Sequence, residues 1–176
     1  MNLSPAVEKY VLHWGEMGTR WGTNRTVAQI QALLYLSPRP LRADEIVDCL
    51  SVARSNVSTS IRELQSYGLV KMTHMLGDRR DYFESLSDVW ELFRVIIEQR
   101  KQRELNPTLS MLRTCAIEVE DEEETDEVTK ERIRNMLKFV EETSNWYEQI
   151  QEIPTATLQK VMKLGARITS FLDKDK

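Results

Sequence analysis

Histidine, cysteine and glycine are scarce in this 176-residue sequence, which has two, two and six of them. His13 and His74 do not lie near Cys49 or Cys115 at the spacing of metal ligands, so a zinc site is not expected. A glycine-rich phosphate loop and a G-x-S-x-G segment are also missing. These absences predict a protein that is not an enzyme and that needs no metal and no cofactor.

Long apolar runs are missing as well. No stretch approaches the ~18–20 apolar residues of a membrane helix, so no membrane partner is expected. The first ten residues, MNLSPAVEKY, contain neither a basic leader nor an apolar core, which argues against a secretory signal. Two cysteines are too few for a disulfide framework and are expected to be buried free thiols. Together these features predict a cytoplasmic protein.

Basic residues are slightly outnumbered by acidic ones, which gives a net charge of −4, and they are unevenly distributed. Residues 20–81 hold nine basic and six acidic residues, whereas residues 106–176 hold ten basic and fifteen acidic ones. Eight of the nine basic residues in the first segment are arginines, whose planar guanidinium suits phosphates and guanine edges. The first segment is therefore compatible with a polyanionic partner.

Hydrophobic periodicity predicts four helices in the first 68 residues, followed by a β-hairpin. The helices are expected after Ser4-Pro5, after Asn24, over residues 42–50 and up to Gly68. The segments LVKMTHML and DYFES alternate as strands, and GDRR is expected to form the turn between them.

The second half of the chain is predicted to be helical throughout. Asp88 is expected to cap a long helix, and another helix is expected to follow Asn106-Pro107. The acidic stretch 118–127 is interpreted as a solvated helix end or a linker. Apolar residues then recur at helical spacing over 133–147 and 158–172, which indicates two further helices suited to pairing.

The segment SVARSNVSTSIRELQSYGLVK, residues 51–71, has two unlike faces. Val57, Ile61 and Leu64 form one apolar stripe on a helix. The other face has no acidic residue before Glu63, and it carries Arg54, Ser55, Asn56, Ser58, Thr59 and Arg62. A solvated surface helix usually mixes glutamate with lysine, so this face is expected to contact a polyanion; plain solvent exposure is the alternative.

The run ADEIVDCLSVARSNVSTSIRELQSYGLVKMTHMLGDRRDYF resembles the winged helix-turn-helix of the MarR family of bacterial regulators. The flanking runs HWGEMGTRWGTNRTVAQIQALLYLSPRPLRADEI and DVWELFRVIIEQRK resemble its GbsR branch. The resemblance implies a mainly α fold with a small β-hairpin wing and a helical dimerisation region. The implied segments are an N-terminal dimerisation helix (1–23), a winged helix-turn-helix DNA-binding domain (24–87), a long connecting helix (88–106) and a C-terminal dimerisation region (107–176).

The resemblance also implies how double-stranded DNA would be contacted. The polar face of the recognition helix would enter the major groove. Arg79 and Arg80 are expected on the tight turn of the wing, one in the minor groove and the other on a phosphate, with Asp78 or Asp81 holding one of them. Hairpin solubility is the alternative for these two arginines. Arg42 is a further candidate for a phosphate contact.

A homodimer is expected because one domain reads only about half of a pseudo-palindromic operator. Residues 5–17 and 107–172 are the candidate interface, and packing of the tail within one chain is the alternative. The candidate anchors of the interface are Trp146, Tyr147, Leu158, Ile168 and Phe171.

The GbsR branch is associated with osmoprotectant genes, and some members respond to choline through an aromatic cage. The resemblance therefore implies a repressor of such genes that responds to a small cationic effector such as choline. Candidate rings for the cage, which core packing would equally explain, are Tyr10, Trp14, Trp21, Tyr35, Trp90 and Phe93. A competing function is a winged-helix adaptor that binds a protein partner and has no operator specificity.

Overall fold

The computed structural model describes residues 3–164. Within that range the elements, in chain order, are α1 (Pro5–Arg20), α2 (Arg25–Leu36), β1 (Leu41–Arg42), α3 (Ala43–Leu50), α4 (Arg54–Ser66), β2 (Val70–Met75), β3 (Asp78–Ser85), α5 (Val89–Arg100), a π-helical turn (Lys101–Leu105), α6 (Asn106–Asp121), α7 (Glu127–Glu152) and α8 (Thr155–Leu164). The chain divides into two compact units between Ile96 and Ile97, inside α5. The four-segment division drawn from the sequence stays a prediction.

Side-chain caps begin several helices where the sequence predicts them. Ser4 Oγ accepts a hydrogen bond from the Val7 amide at the start of α1, and Asn24 Oδ1 accepts one from the Thr26 amide at the start of α2. Asp88 Oδ1 accepts from the amides of Trp90 and Glu91 at the start of α5. These caps satisfy amides that have no partner inside a helix, and the predicted starts are confirmed.

The core of the first unit lies between α1–α4 and the sheet. Its fully buried members include one or more side chains from each of these four helices and from β1, namely Val11, Ile30, Leu33, Leu41, Ile46, Val57 and Leu64. Helices α1 and α2 cross closely at Gly15 and Gly18. A Cβ atom built on Gly18 would lie 2.4 Å from the Ala28 Cβ atom, so the crossing leaves no room for a side chain there.

The sheet is antiparallel with strand order β1-β3-β2, so it has one strand more than the predicted hairpin. The predicted position of the hairpin turn is wrong. Met75 pairs with Asp78, which makes Leu76 and Gly77 the turn and brings Arg79 and Arg80 into β3. The reason is that Gly77 adopts φ +82°, which suits the third position of a tight turn and lets the strand resume directly afterwards.

In the second unit α6 and α7 run antiparallel. The charged pairs that join them show this, since they connect the two helices in reverse order. Glu120 pairs with Arg134 at the loop end, and Arg113 pairs with Glu141 further along. The acidic loop between the two helices spans residues 122–126, which confirms the interpretation of that stretch as helix ends and a linker.

The helix expected after Asn106-Pro107 begins earlier than predicted. The π-helical turn leads directly into α6, and Pro107 lies in the first turn of α6. Proline is tolerated there because an amide in the first turn of a helix has no partner within that helix. Residues 165–172, which complete the last predicted apolar seam and include Ile168 and Phe171, lie outside the described residues.

Candidate nucleic-acid interface

Helix α4 has one face in the core and the opposite face in solvent, as its sequence predicts. Val57, Ile61 and Leu64 are buried against the domain, and the small Ser60 is buried beside them. All six polar residues singled out on the other face are exposed: Arg54, Ser55, Asn56, Ser58, Thr59 and Arg62. The exposed face holds short hydroxyl and amide side chains between two arginines, which permits close approach to a groove edge.

The start of α4 offers unpaired hydrogen-bond donors. Ala53 occupies the N-cap position and supplies no side-chain cap, and the first turn contains no acidic residue. The amides of the first helical residues therefore point outward without a partner from the cap, which favours an anion. The side chains of Arg54, Ser55 and Asn56 make no hydrogen bond to any residue within 3–164.

Arg62 lies against its own helix one turn further along. Its Nε donates to the Ser58 carbonyl oxygen at 3.3 Å, and its Nη2 lies 3.5 Å from Thr59 Oγ1. The guanidinium is exposed, so a phosphate or a base edge could reach it.

On the wing, one face of β3 holds a charged cluster of Asp78, Arg80 and Tyr82. These residues alternate along the strand and so share a face. Arg80 Nε lies 2.8 Å from Asp78 Oδ1, Arg80 Nη2 donates to Asp78 Oδ2, and the Tyr82 hydroxyl donates to the same oxygen at 2.7 Å. The hydrogen bond from Arg80 holds the pKa of Asp78 far below its usual range. Arg80 is therefore held by Asp78, and the pair carries no net charge.

Arg79 lies on the other face of the strand and is not held. It is exposed, and among the described residues it makes no hydrogen bond or ion pair. Asp81, which shares this face, lies 3.9 Å from His74 Nδ1, measured from its Oδ1. Of the two candidate carboxylates it is thus Asp78 that holds an arginine, and the arginine is Arg80.

Arg42 lies at the start of α3 and is already paired. Its Nε lies 3.2 Å from Glu45 Oε2, its Nη1 lies 3.3 Å from Asp44 Oδ2, and only 22% of its side chain is exposed. Arg39 donates to Glu45 at 2.6 Å, and this hydrogen bond lowers the pKa of Glu45 to about 2. The phosphate contact of Arg42 stays a prediction, made weaker by two neighbouring carboxylates.

Three of the candidate aromatic residues form a row along α1 and just past its end, and the other three lie on α2 and α5. The Tyr10 and Trp14 ring centroids are 5.7 Å apart, and those of Trp14 and Trp21 are 5.8 Å apart at 61°. Tyr35 lies close enough to Tyr10 to add to the rise in pKa that burial gives the Tyr10 phenol. Trp90 and Phe93 lie on α5 and make no ring stacking contact with the α1 row within the described residues. The effector cage stays a prediction.

Two of the candidate dimer anchors in the second unit differ in exposure. Trp146 is 62% exposed on α7, whereas Tyr147 is half-buried, with Lys101 Nζ 5.5 Å from its ring centroid. Leu158 on α8 is half-buried. Phe139 (64% exposed) and Met136 (53%) share the outer side of α7 with Trp146, and the sequence patterns did not single them out. Met136 lies three residues before Phe139 and Trp146 seven residues after it, and this helical spacing could have identified the shared side from the sequence.

The rest of the structure adds little chemistry. Among residues 3–164 no group of histidine, cysteine and acidic side chains is arranged to hold a metal ion. Neither Cys49 nor Cys115 forms a disulfide bond within residues 3–164, and both are half-buried rather than fully buried. Within the same range, every helix is too short or too polar to cross a membrane.

Comparison with known proteins points in one direction. Residues 21–81 match the family model described as "MarR family". The chain is 20% identical over 136 residues to the HTH-type transcriptional repressor GbsR of Bacillus subtilis strain 168, covering 76% of this chain and 75% of that protein. A crystal structure of a transcriptional regulator superimposes with a TM-score of 0.66 at 18% identity, covering 84% of this chain and 96% of that one, which shows a shared fold.

Proposed function

We propose that this chain, whose residues 21–81 match the family model described as "MarR family", is a transcriptional repressor of that family that binds double-stranded DNA sequence-specifically as a homodimer through a winged helix-turn-helix domain. The observation that carries the proposal is the exposed face of α4. It contains six polar side chains, no acidic residue and an uncapped helix start, while the opposite face is buried in the domain. A recognition helix needs this arrangement in order to enter a major groove.

The wing supports the same proposal from a second side. Arg79 has an exposed guanidinium with no ion pair within residues 3–164, and the Asp78 carboxylate beside it is neutralised by Arg80. Phosphate contacts from a wing fix the register of a recognition helix on the duplex, while base contacts from the helix supply sequence preference. We assign Arg54, Asn56 and Arg62 to phosphates or base edges, and Ser55, Ser58 and Thr59 to phosphate contacts.

A titration of fluorescein-labelled duplex DNA at two salt concentrations, followed by fluorescence anisotropy, tests the proposal. We expect tight binding that weakens steeply with salt and a clear preference for sequences selected from a random library. Asn56→Ala should relax the preference at one position of each half-site. An adaptor without operator function would bind weakly and without preference, and that result would reject the proposal.

The proposed homodimer is supported by the outer side of α7. Met136, Phe139 and Trp146 expose more than half of their surface there, and apolar patches of this kind on a helix commonly mark an interface. Two copies related by a two-fold axis would present their recognition helices to half-sites about 10 bp apart, or a multiple of that. Sedimentation analysis of the full chain is the direct measurement, and a monomer at micromolar concentration would contradict it.

We propose that the protein acts in the cytoplasm and that its targets are osmoprotectant genes, such as those for glycine betaine. This part of the proposal rests on the resemblance to the GbsR branch and on a relative named as a transcriptional repressor. Selection of genomic fragments by the purified protein would identify the regulon, and fragments without such genes would refute the assignment. A choline titration of the protein–DNA complex would test the effector, because an effector that favours the free state must lower the affinity for DNA.

A further inference from the structure

The tip of the wing is apolar, although its flanks are charged. Leu76 and Gly77 form the two-residue turn, and the Leu76 side chain is fully exposed. Met75 beside it and Met72 on the same strand expose 40% and 47% of their surface. Hairpin tips normally carry glycine, asparagine or aspartate, which suit the backbone and interact with water.

Leu76 does nothing for the stability of the fold. A side chain that is fully exposed in the folded protein gains no burial when the chain folds, so the hydrophobic effect gives it no stabilising role. The turn obtains its backbone geometry from Gly77 at φ +82°. A leucine at this position therefore needs a partner outside the unit in order to contribute any free energy.

We propose that Leu76 is an apolar wedge that enters the minor groove of DNA and packs against the sugar walls while Arg79 contacts the backbone beside it. This inference rests on the proposed function. DNA fits the tip better than an apolar protein surface does, because the charged residues that directly follow the turn are the neutralised Asp78–Arg80 pair and Arg79, which makes no ion pair among residues 3–164. The carboxylate of Asp81, further along the strand, lies 3.9 Å from His74 Nδ1. A single side chain at the tip of the turn is also narrow enough for a minor groove about 6 Å wide.

The wedge predicts a base preference at the wing position. The exocyclic amino group of guanine projects into the minor groove, whereas an A·T pair leaves the groove floor free of it. A leucine side chain gains contact with an A·T floor and is held away by the amino group of a G·C pair. Inosine·cytosine pairs lack that amino group and should therefore behave like A·T pairs, although their major-groove edges resemble those of G·C pairs.

The test uses the full-length protein and a 30-bp labelled duplex selected from a random library by the wild-type chain. Leu76→Ser should weaken binding of the proposed dimer about a hundred-fold, because burying one leucine side chain is worth about ten-fold in affinity and the dimer has two wings. Its salt dependence should equal that of the wild type, since no charge is removed. Leu76→Met, which keeps an apolar side chain, is the matched control and should bind like the wild type. Thermal unfolding of all three should coincide, because the position is exposed.

A second readout separates this inference from the proposed function. Replacing A·T pairs by G·C at the edges of the selected site should weaken the wild type but not Leu76→Ser, and I·C pairs should restore wild-type affinity. Equal affinities of wild type and Leu76→Ser, with Arg79→Ala still weakened, would overturn the wedge and leave the DNA-binding function standing. Loss of an apolar protein partner in Leu76→Ser without any change in DNA binding would also overturn it. If the wild type binds no duplex, both proposals fail.

Discussion

The two adjacent arginines of the wing should respond differently to removal, because the structure gives them different partners. Arg79 is exposed and makes no ion pair within the described residues, so Arg79→Ala removes one positive charge and breaks no ion pair there. Arg80 holds Asp78 through its Nε and Nη2 atoms, so Arg80→Ala also leaves a carboxylate beside the DNA. We expect both variants to bind DNA more weakly, and Arg80→Ala to lose more affinity at low salt.

The size of the salt effect follows from counterion release. Each lost phosphate contact reduces the slope of log K against log salt by about 0.9, so a dimer with two altered wings changes by about 1.8. Between about 50 and 200 mM salt, the affinity ratio of wild type to Arg79→Ala should then shrink about twelve-fold. Anisotropy titrations at four salt concentrations measure this slope.

Arg113→Ala provides the control, since Arg113 is an exposed arginine paired with Glu141 in the other unit. Its slope should equal that of the wild type. Parallel slopes for wild type and Arg79→Ala would refute the wing assignment for that residue. Equal losses in the two wing variants at low salt would refute the reasoning from the Asp78 pair.

Three further predictions concern the fold and the assembly. Gly18→Ala should lower the free energy of unfolding by about 1–3 kcal/mol in urea titrations, because the new Cβ atom would clash with Ala28 although alanine favours a helix. Ala28→Gly in the same chain should restore part of the loss. The pKa of Glu45 is lowered to about 2, so the ionised carboxylate stabilises the fold fully above about pH 4.5 and loses this effect as the pH falls towards 2. The difference in urea midpoint between wild type and Glu45→Gln should therefore shrink over that range. Trp146→Glu should shift sedimentation towards the monomer, and an unchanged dimer would contradict the proposed interface.

Sequence patterns predicted most of the helices because periodicity and caps are local signals. Asn24 and Asp88 cap helices where they were expected to, and Val57, Ile61 and Leu64 are buried as one stripe. The turn of the wing was misplaced by a local ambiguity. Glycine, aspartate and arginine all fit a turn by composition, and the pairing of Met75 with Asp78 decided which two residues form it.

Features that depend on distant partners could not be read in the same way. The short strand β1 exists because Leu41 pairs with Phe83, some forty residues away. The close crossing of α1 and α2 requires Gly18 to face Ala28, and a glycine in a helix carries no sign of what it faces. The ion pairs of Arg42 are local, but a basic residue at a helix start was read as free for phosphate.

Residues 78, 80 and 82 share one face of β3, and this explains why a surface proposed to meet phosphates contains an aspartate. An uncompensated carboxylate near a phosphate backbone would repel it, so Asp78 is compatible with this role only if its charge is neutralised. Arg80 and Tyr82 stand two and four residues further along the strand, on the same face, and both donate to Asp78. Their hydrogen bonds order the start of β3 beside the turn, which reduces the conformational entropy that DNA binding must remove. Arg79, on the opposite face, makes no ion pair among residues 3–164, and Asp81 on that face lies 3.9 Å from His74 Nδ1. The two arginines are therefore not duplicates: Arg80 neutralises Asp78, and Arg79 is the one that we propose contacts the DNA backbone.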